Sequence, residues 1–296
     1  MNKSFISTRE VADMLSVTET TVKRWADSRH IKCIKTLGGH RKYIIEDVEK
    51  FAEENMIPVS GFTSAYGREE LGMVEYALYS KNYDQIIKTA AELALNGNIE
   101  SLVELFLYLT KNRIKFFDII DEIVQHVLEN VGTSWESSRL KIEDEHVASE
   151  AIRTALSRLY VYLPKSKGKN TKAICACVEG EYHDIGIKSV AYELEMNGFN
   201  IIYLGANTPF QSIITTVKKE KPSYVFLSST ISVFSEDELI KNIKRLAKTA
   251  SASNSKVIMG GKNVQGYDKK LLGCYAVLNS IKEVHKILRT KSHKIA

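Results

Sequence analysis

Glu181-Tyr182-His183-Asp184-Ile185-Gly186 is the segment of this chain whose residue types and spacing most directly offer chemistry. It follows a short apolar run, Ala173–Val178, and precedes a stretch of helical patterning, so it occupies the turn at the carboxyl end of a predicted strand. In open α/β sheets such turns carry the ligand-contacting residues. A histidine there can extend one ring nitrogen into the crevice while Glu181 or Asp184 holds the other and fixes the tautomer, as a metal ligand requires. Taken alone, such a histidine is more often a helix-capping or surface residue. Two further strand ends add to it. Ser228-Ser229-Thr230 closes one, with 41 residues between Gly186 and Ser228, and Gly260-Gly261 closes another. Small residues at three strand ends leave a deep slot lined by backbone, with room for a long ligand tail.

Two other groups of residues stand out. Trp135 lies ten residues before Glu145, which is followed by His146. A tryptophan near a helix end is usually core, and Glu-His within a charged run is usually a solvated face. Near the N-terminus, Ser7-Thr8-Arg9-Glu10 reads as a capping box opening a helix, Ser16-Val17-Thr18 as a tight turn, and Glu19 onward as a second helix. Two short helices joined this way match a helix-turn-helix, whose second helix enters the major groove. Thr20, Thr21, Lys23 and Arg24 would lie on or near the DNA face, with Val22 and Trp25 packing inward. Gly38-Gly39 then marks a hairpin tip, where positive φ is needed, and His40, Arg41, Lys42 and Tyr43 return beside the DNA, the cations meeting phosphate. Between Lys23 and Lys42 there are seven Lys or Arg against one acid, Asp27.

The elements that must hold these groups follow from patterning. A chain of 296 residues fits two or three domains, and its net charge of +5 argues for an acidic partner only because the N-terminal charge is localised. The fold class expected is multidomain, α and α/β. Residues 1–54 form the DNA-binding domain and 55–72 a linker. Residues 73–165, nearly free of Gly and Pro, form a helical bundle, with apolar residues at helical spacing from Leu102 to Val127. Over 170–292 five short apolar runs alternate with helical segments, which implies a flavodoxin-like, doubly wound parallel sheet. No stretch approaches a membrane span or a signal peptide, and four scattered cysteines imply no disulfide framework, so the cytoplasm is expected. Cys175-x-Cys177 lacks a second pair and reads as packing rather than a metal site. Neither a nucleophile–base pair nor a phosphate loop is visible, and the chain is read as a non-enzyme.

With these residues in view, three resemblances appear. Residues 4–54 resemble the winged helix-turn-helix of the MerR family, whose Thr-x-Gly-Gly-His-Arg-x-Tyr/Phe wing stands here almost unaltered. Such readers bind operator DNA as dimers, and pairing is expected to come from the sensor half. Residues 170–292 resemble the cobalamin-binding domains related to methionine synthase, with Glu181 where the motif usually has Asp. By that resemblance His183 is the lower axial ligand of cobalt and Gly186 closes its Asp-x-His-x-x-Gly motif, with Asp184 among the cofactor-binding residues beside it. Ser228 and Thr230 touch the buried dimethylbenzimidazole tail, and Gly260 and Gly261 let it pass close to the backbone. The helical segment resembles the cap over the upper face of cobalamin, a four-helix bundle. Its Trp-x9-Glu-His motif is that of CarH/LitR-type photoreceptor repressors, which bind adenosylcobalamin. Trp135 would stack near the adenosyl group, and Glu145 and His146 would contact its sugar or base. The resemblance implies a light-responsive repressor whose cofactor-bound oligomer, dimer or tetramer, holds DNA. Glu136 stands where some relatives carry a cobalt-capturing histidine, so a weaker, reversible or absent light response is expected unless His146 or another histidine substitutes. His126 reads as packed or exposed. Rival readings are a corrinoid methyl carrier of a methyltransferase system and a regulator sensing haem through His183 and His146, or no cofactor.

Overall fold

A computed structural model of the chain describes residues 5–15, 17–36, 38–55, 57, 80, 82–168 and 170–289. The expected linker, Asn55 and Ile57 apart, lies outside the described residues. So do Ser16, Leu37 and the opening of the helical segment up to residue 81, Ser80 apart.

At the N-terminus, β1 (Phe5–Ser7) runs into α1 (Thr8–Met14), and α2 spans Glu19–Asp27. Ser7 caps α1 through the reciprocal box with Glu10, and Thr18 caps α2 by accepting from the Thr21 N–H at 3.2 Å. β2 (Ile34–Lys35) and β3 (Arg41–Ile44) form an antiparallel hairpin, and β1 adds to its other side in the order β1-β3-β2. α3 (Ile45–Glu54) follows directly. Val11, Leu15, Val22, Ile31, Tyr43, Val48 and Phe51 make one core, and Trp25 closes it against the Phe51 ring at 5.2 Å. At the hairpin tip Gly39 adopts φ +78°, whereas Gly38 does not need the left-handed region. The positive φ expected of the pair thus falls on one residue.

In the helical segment, α4 (Asp84–Leu95), α5 (Ile99–Lys111) and α8 (Ile142–Tyr162) pack on one another. Their apolar stripes bury Ile86, Ala90, Leu102, Leu105, Phe106, Ala151, Ile152 and Leu159, and Arg158 pairs with Glu100 at 2.7 Å. α6 (Phe116–Ile119) continues through a π-helical stretch, Ile120–Val124, into α7 (Gln125–Glu136). Lys115–His126 clusters with the C-terminal sheet rather than with the helices around it, although its apolar spacing matches theirs. The reason is local. The Asp121 carboxylate accepts from the N–H groups of Ile281 and Lys282 at 2.8 and 2.9 Å and so caps the first turn of the last described helix. Lys282 also reaches Asp118 at 3.0 Å.

The C-terminal domain alternates β4 (Lys172–Val178), α9 (Ile185–Met196), β5 (Asn200–Thr208), α10 (Phe210–Glu220), β6 (Tyr224–Ser228), α11 (Glu236–Ala252) and β7 (Lys256–Gly260). It ends with α12 (Lys269–Leu272), β8 (Ala276–Leu278) and α13 (Ile281–Arg289). All the ladders are parallel, in the order β5-β4-β6-β7-β8. The five strands expected are present, each within a few residues of its place. β4 is an interior strand, between β5 and β6, and is buried on both sides. Ile174, Ala176 and Val178 face the core under α10 and α11, while Ala173, Cys175 and Cys177 face the core under α9 and α13. The chain reverses direction across the sheet between β4 and β6, and the turns after them carry the candidate site.

Candidate functional site

Glu181 organises the site. It is fully buried, yet its carboxylate is saturated by donors from two strand-end loops. Oε1 takes the backbone N–H of His183 at 2.7 Å and faces the ring Nδ1 at 2.6 Å. Oε2 takes the N–H of Ile231 at 2.7 Å and that of Thr230. Burial pushes this carboxyl up. The hydrogen bonds from the His183 ring and backbone, Ile231 and Thr230 together outweigh burial and hold it below the usual range. An ionised Glu181 favours the proton on Nδ1, hence the tautomer with its lone pair on Nε2. The His183 side chain is 58% exposed. Cys177 Sγ lies 3.7 Å from the His183 carbonyl, behind the loop.

Asp184 follows the imidazole at the start of the next helix. It stands at the N-terminus of α9 and accepts from the Tyr203 hydroxyl at 3.2 Å. Gly186 lies in the first turn of α9, where an added Cβ would meet nothing within 4 Å. Ser228 ends β6, in register with Gly260 of β7. Thr230 contributes its backbone N–H to Glu181, a role its side-chain type did not disclose. Gly261 has a cause within the protein: at φ +99° its added Cβ would lie 2.4 Å from the Ser229 carbonyl oxygen. At Gly260 the Cβ would stand 3.2 Å from the Leu278 carbonyl oxygen. Strand-end packing therefore requires Gly261 and makes Gly260 a tight fit, whatever lies beside them.

Two asparagines escaped the sequence reading. Asn207 braces the loop before His183: Oδ1 accepts from the Gly180 N–H at 2.8 Å and Nδ2 donates to the Tyr182 hydroxyl at 2.9 Å. Asn263 donates to Ser229 Oγ at 3.1 Å. Asn207-Thr208-Pro209, between an apolar run and a helix, was the available signal for the first.

In the helical unit, Trp135 is 44% exposed near the end of α7, so it is not the core residue that a tryptophan in that position usually is. Glu145 and His146 lie in the first turns of α8. Glu145 accepts from Ser149 Oγ at 2.6 Å, and His146 Nε2 lies 3.7 Å from its other oxygen. Glu136 and His126 are exposed.

In the N-terminal domain, Thr20, Lys23 and Arg24 are exposed along α2, and Lys23 pairs with Glu19 at 3.3 Å. The Thr21 hydroxyl is 3.0 Å from that of the capping Thr18. His40 is exposed and Lys42 half-buried. Tyr43 corrects the expectation of a DNA contact, because it is fully buried in the domain core. Alternation along β3 explains this: Arg41 and Tyr43 turn toward the helices, where Arg41 Nη2 meets Asp27 at 2.6 Å.

Comparison with known families identifies the class to which these pieces belong. The family described as a helix-turn-helix domain matches residues 5–56, and two families described as B12 binding domains match 86–160 and 171–282. The chain thus carries a helix-turn-helix domain followed by two regions that match B12 binding domains. Among individual proteins it is similar to the HTH-type transcriptional repressor CarH of Myxococcus xanthus, with 31% identity over 117 residues. That alignment covers 40% of this chain and 38% of the repressor. It is also similar to monomethylamine corrinoid protein 2 of Methanosarcina acetivorans, at 25% identity, covering 69% of this chain and 95% of that protein. The structure of the Methanosarcina barkeri monomethylamine corrinoid protein shares the fold, with a TM-score of 0.59 at 23% identity over 70% of this chain and 99% of that one. No helix among the described residues is long and apolar enough to cross a membrane.

Proposed function

We propose that the chain is a cobalamin-responsive, non-enzymatic transcription regulator of MerR type, working in the cytoplasm as a repressor akin to the CarH/LitR photoreceptors. The observation that carries the reading is the His183–Glu181 pair, which favours one tautomer and places a largely exposed imidazole at the carboxyl end of a parallel sheet, in a chain that also matches a helix-turn-helix domain. The residues present fit a corrinoid. The buried carboxylate fixes the imidazole, and open space lies over Gly186. Ser228, Ser229 and Gly260 keep the strand ends small beside it. When bound, adenosylcobalamin supplies a light-sensitive cobalt–carbon bond. His183 would hold the metal through Nε2, Glu181 would keep its proton on Nδ1, and Ser228 and Thr230 would line the tail slot. Trp135, Glu145 and His146 would cover the opposite face.

On the DNA side, Thr20, Thr21, Lys23 and Arg24 would meet the major groove, and the β2–β3 hairpin would act as a wing placing His40 and Lys42 near phosphate. Arg41 reaches phosphate only by leaving Asp27. Cofactor binding would shift self-association, dimer to tetramer, and thereby hold the readers as a multivalent set on the operator.

The test is retention of cobalamin through gel filtration by the full chain and by His183→Ala, with operator binding measured for each in darkness and after green light. Loss of cobalamin in the variant is expected, together with cofactor-dependent operator binding in the unaltered chain. Equal retention refutes the ligand assignment. The corrinoid-protein relatives favour a second reading, a methyl carrier. Protein isolated with methylcobalamin, whose DNA binding ignores the cofactor, would establish that reading instead.

A further inference from the structure

Asn207 lies in no motif singled out from the sequence, yet it holds the three residues that lead into His183. Its Oδ1 accepts from Gly180, its own N–H donates to the Glu181 carbonyl at 2.7 Å, and its Nδ2 donates to the Tyr182 hydroxyl. The position is made by β5. Its pairing with β4 shifts register between Cys175 and Ala176 and again between Ala176 and Val178, which brings the strand end beside the loop after β4. Asn207 there adopts φ +47°, a left-handed conformation that asparagine tolerates better than most residues.

The need for such a brace follows from the loop. Glu181 fixes the ring relative to its own carboxylate, but Gly180, at φ +82°, precedes it as the most permissive backbone in the segment. A bond to the Gly180 N–H and another to the Tyr182 side chain remove that freedom on both sides of Glu181. Asn207 is itself exposed and belongs to neither apolar core of the domain. Its contacts therefore act on the loop rather than on the fold.

We propose that Asn207 is a positioning residue for His183, setting where the imidazole stands for a metal above the sheet. This inference rests on the reading of His183 as a cobalt ligand. Two substitutions separate side chain from backbone. Asn207→Gly keeps the left-handed backbone and removes both side-chain bonds. Asn207→Asp keeps an acceptor for Gly180 and accepts from the Tyr182 hydroxyl.

The experiment titrates the full chain with hydroxocobalamin and reads the absorption signature of protein-nitrogen ligation, with nitrogen hyperfine splitting in the reduced Co(II) form as a second readout. Thermal stability is recorded alongside. Losing two hydrogen bonds predicts a ligated fraction about tenfold lower in equilibrium constant for Asn207→Gly, an unchanged melting temperature, and recovery of most of the signal in Asn207→Asp. An Asn207→Gly chain with unaltered signature and affinity overturns the proposal. So does a loss accompanied by a general fall in stability that Asp does not rescue. His183→Ala is the reference. If the unaltered chain and that variant give the same spectrum, the ligand assignment itself fails, and the role of Asn207 falls with it.

Discussion

Glycines at the candidate site can be there for the protein or for what the protein holds, and alanine substitution separates the two. At Gly261 the added Cβ would stand 2.4, 2.6 and 2.9 Å from the O, C and N of Ser229. That backbone cannot give way, because the Ser229 N–H is bonded to the Gly260 carbonyl at 2.9 Å and the Ser229 carbonyl accepts from the Asn263 N–H at 3.1 Å. Gly261 also has φ +99° and ψ 154°, a region costing an L-residue about 1–3 kcal/mol. Adding the loss of one or two of those hydrogen bonds, at about 1 kcal/mol each, gives a destabilisation of about 2–5 kcal/mol for Gly261→Ala. At Gly186 the position is helical and the Cβ meets nothing within 4 Å. Gly186→Ala should therefore stabilise the cofactor-free chain by about 0.5 kcal/mol through the unfolded state. If a corrinoid lies over this turn, the same methyl becomes an overpacking contact of about 1–3 kcal/mol, a loss of about 5- to 150-fold in affinity. Urea denaturation followed by circular dichroism gives the first quantity, and titration with cobalamin gives the second. A Gly186→Ala chain that binds cobalamin as tightly as the parent refutes the argument that this space is kept for the ligand. A Gly261→Ala chain of unaltered stability refutes the backbone argument.

Tyr43→Phe should leave operator affinity unchanged, whereas Tyr43→Ala should cost about 3–5 kcal/mol of stability by opening the N-terminal core; a selective loss of DNA binding in Tyr43→Phe would restore the residue to the interface. Among the four cysteines, burial pushes the Cys177 thiol up to about 12 and the Cys175 thiol higher still, so mass spectrometry after alkylation of the native chain should show label on Cys33 and Cys274 only. Burial also raises the Glu193 carboxyl above its ordinary 4.5, with His285 at 2.6 Å and Asn197 opposing it. A folded-state value above the unfolded one contributes stability that is present at low pH and lost as pH rises through the folded value. Glu193→Gln should therefore gain stability relative to the parent as pH rises above about 4.5 and through the raised folded-state value, and a flat difference in urea midpoint would contradict this.

The sheet was readable because its signals are local. Runs such as Lys172–Val178 alternate between two buried faces, and their spacing by helix-length segments leaves few topologies. The Ser7–Glu10 capping box and the basic hairpin were readable for the same reason. What escaped depends on partners distant in sequence. Tyr43 sits in a cationic run, and only its register on β3 shows that it turns inward. Lys115–His126 carries the helical spacing of its neighbours, and its attachment to α13 rests on the Asp121 carboxylate, whose donor, the Ile281 N–H, lies 160 residues away. The double glycine suggested room for a ligand, whereas the Ser229 and Leu278 backbones already account for it.

Glu181 raises the question of why a chain would place a longer carboxylate where the related motif has Asp. The geometry supplies a reason. Its two oxygens serve different loops, Oε1 the His183 turn after β4 and Oε2 the Thr230–Ile231 turn after β6. Shortening the side chain by one methylene withdraws the carboxylate by about 1.5 Å, more than a hydrogen bond tolerates, so Glu181→Asp must abandon one loop unless the backbone moves. If it keeps His183, the N–H groups of Thr230 and Ile231 lose their acceptor, at about 1–3 kcal/mol each where water does not replace it. If it keeps the second loop, the imidazole loses its orienting partner and cobalamin ligation weakens instead. Urea denaturation and hydroxocobalamin titration of the same variant distinguish the two outcomes, because stability falls in the first and the ligation signature in the second. A variant unchanged in both would show that the longer side chain is not what ties His183 to the strand end across the switch point.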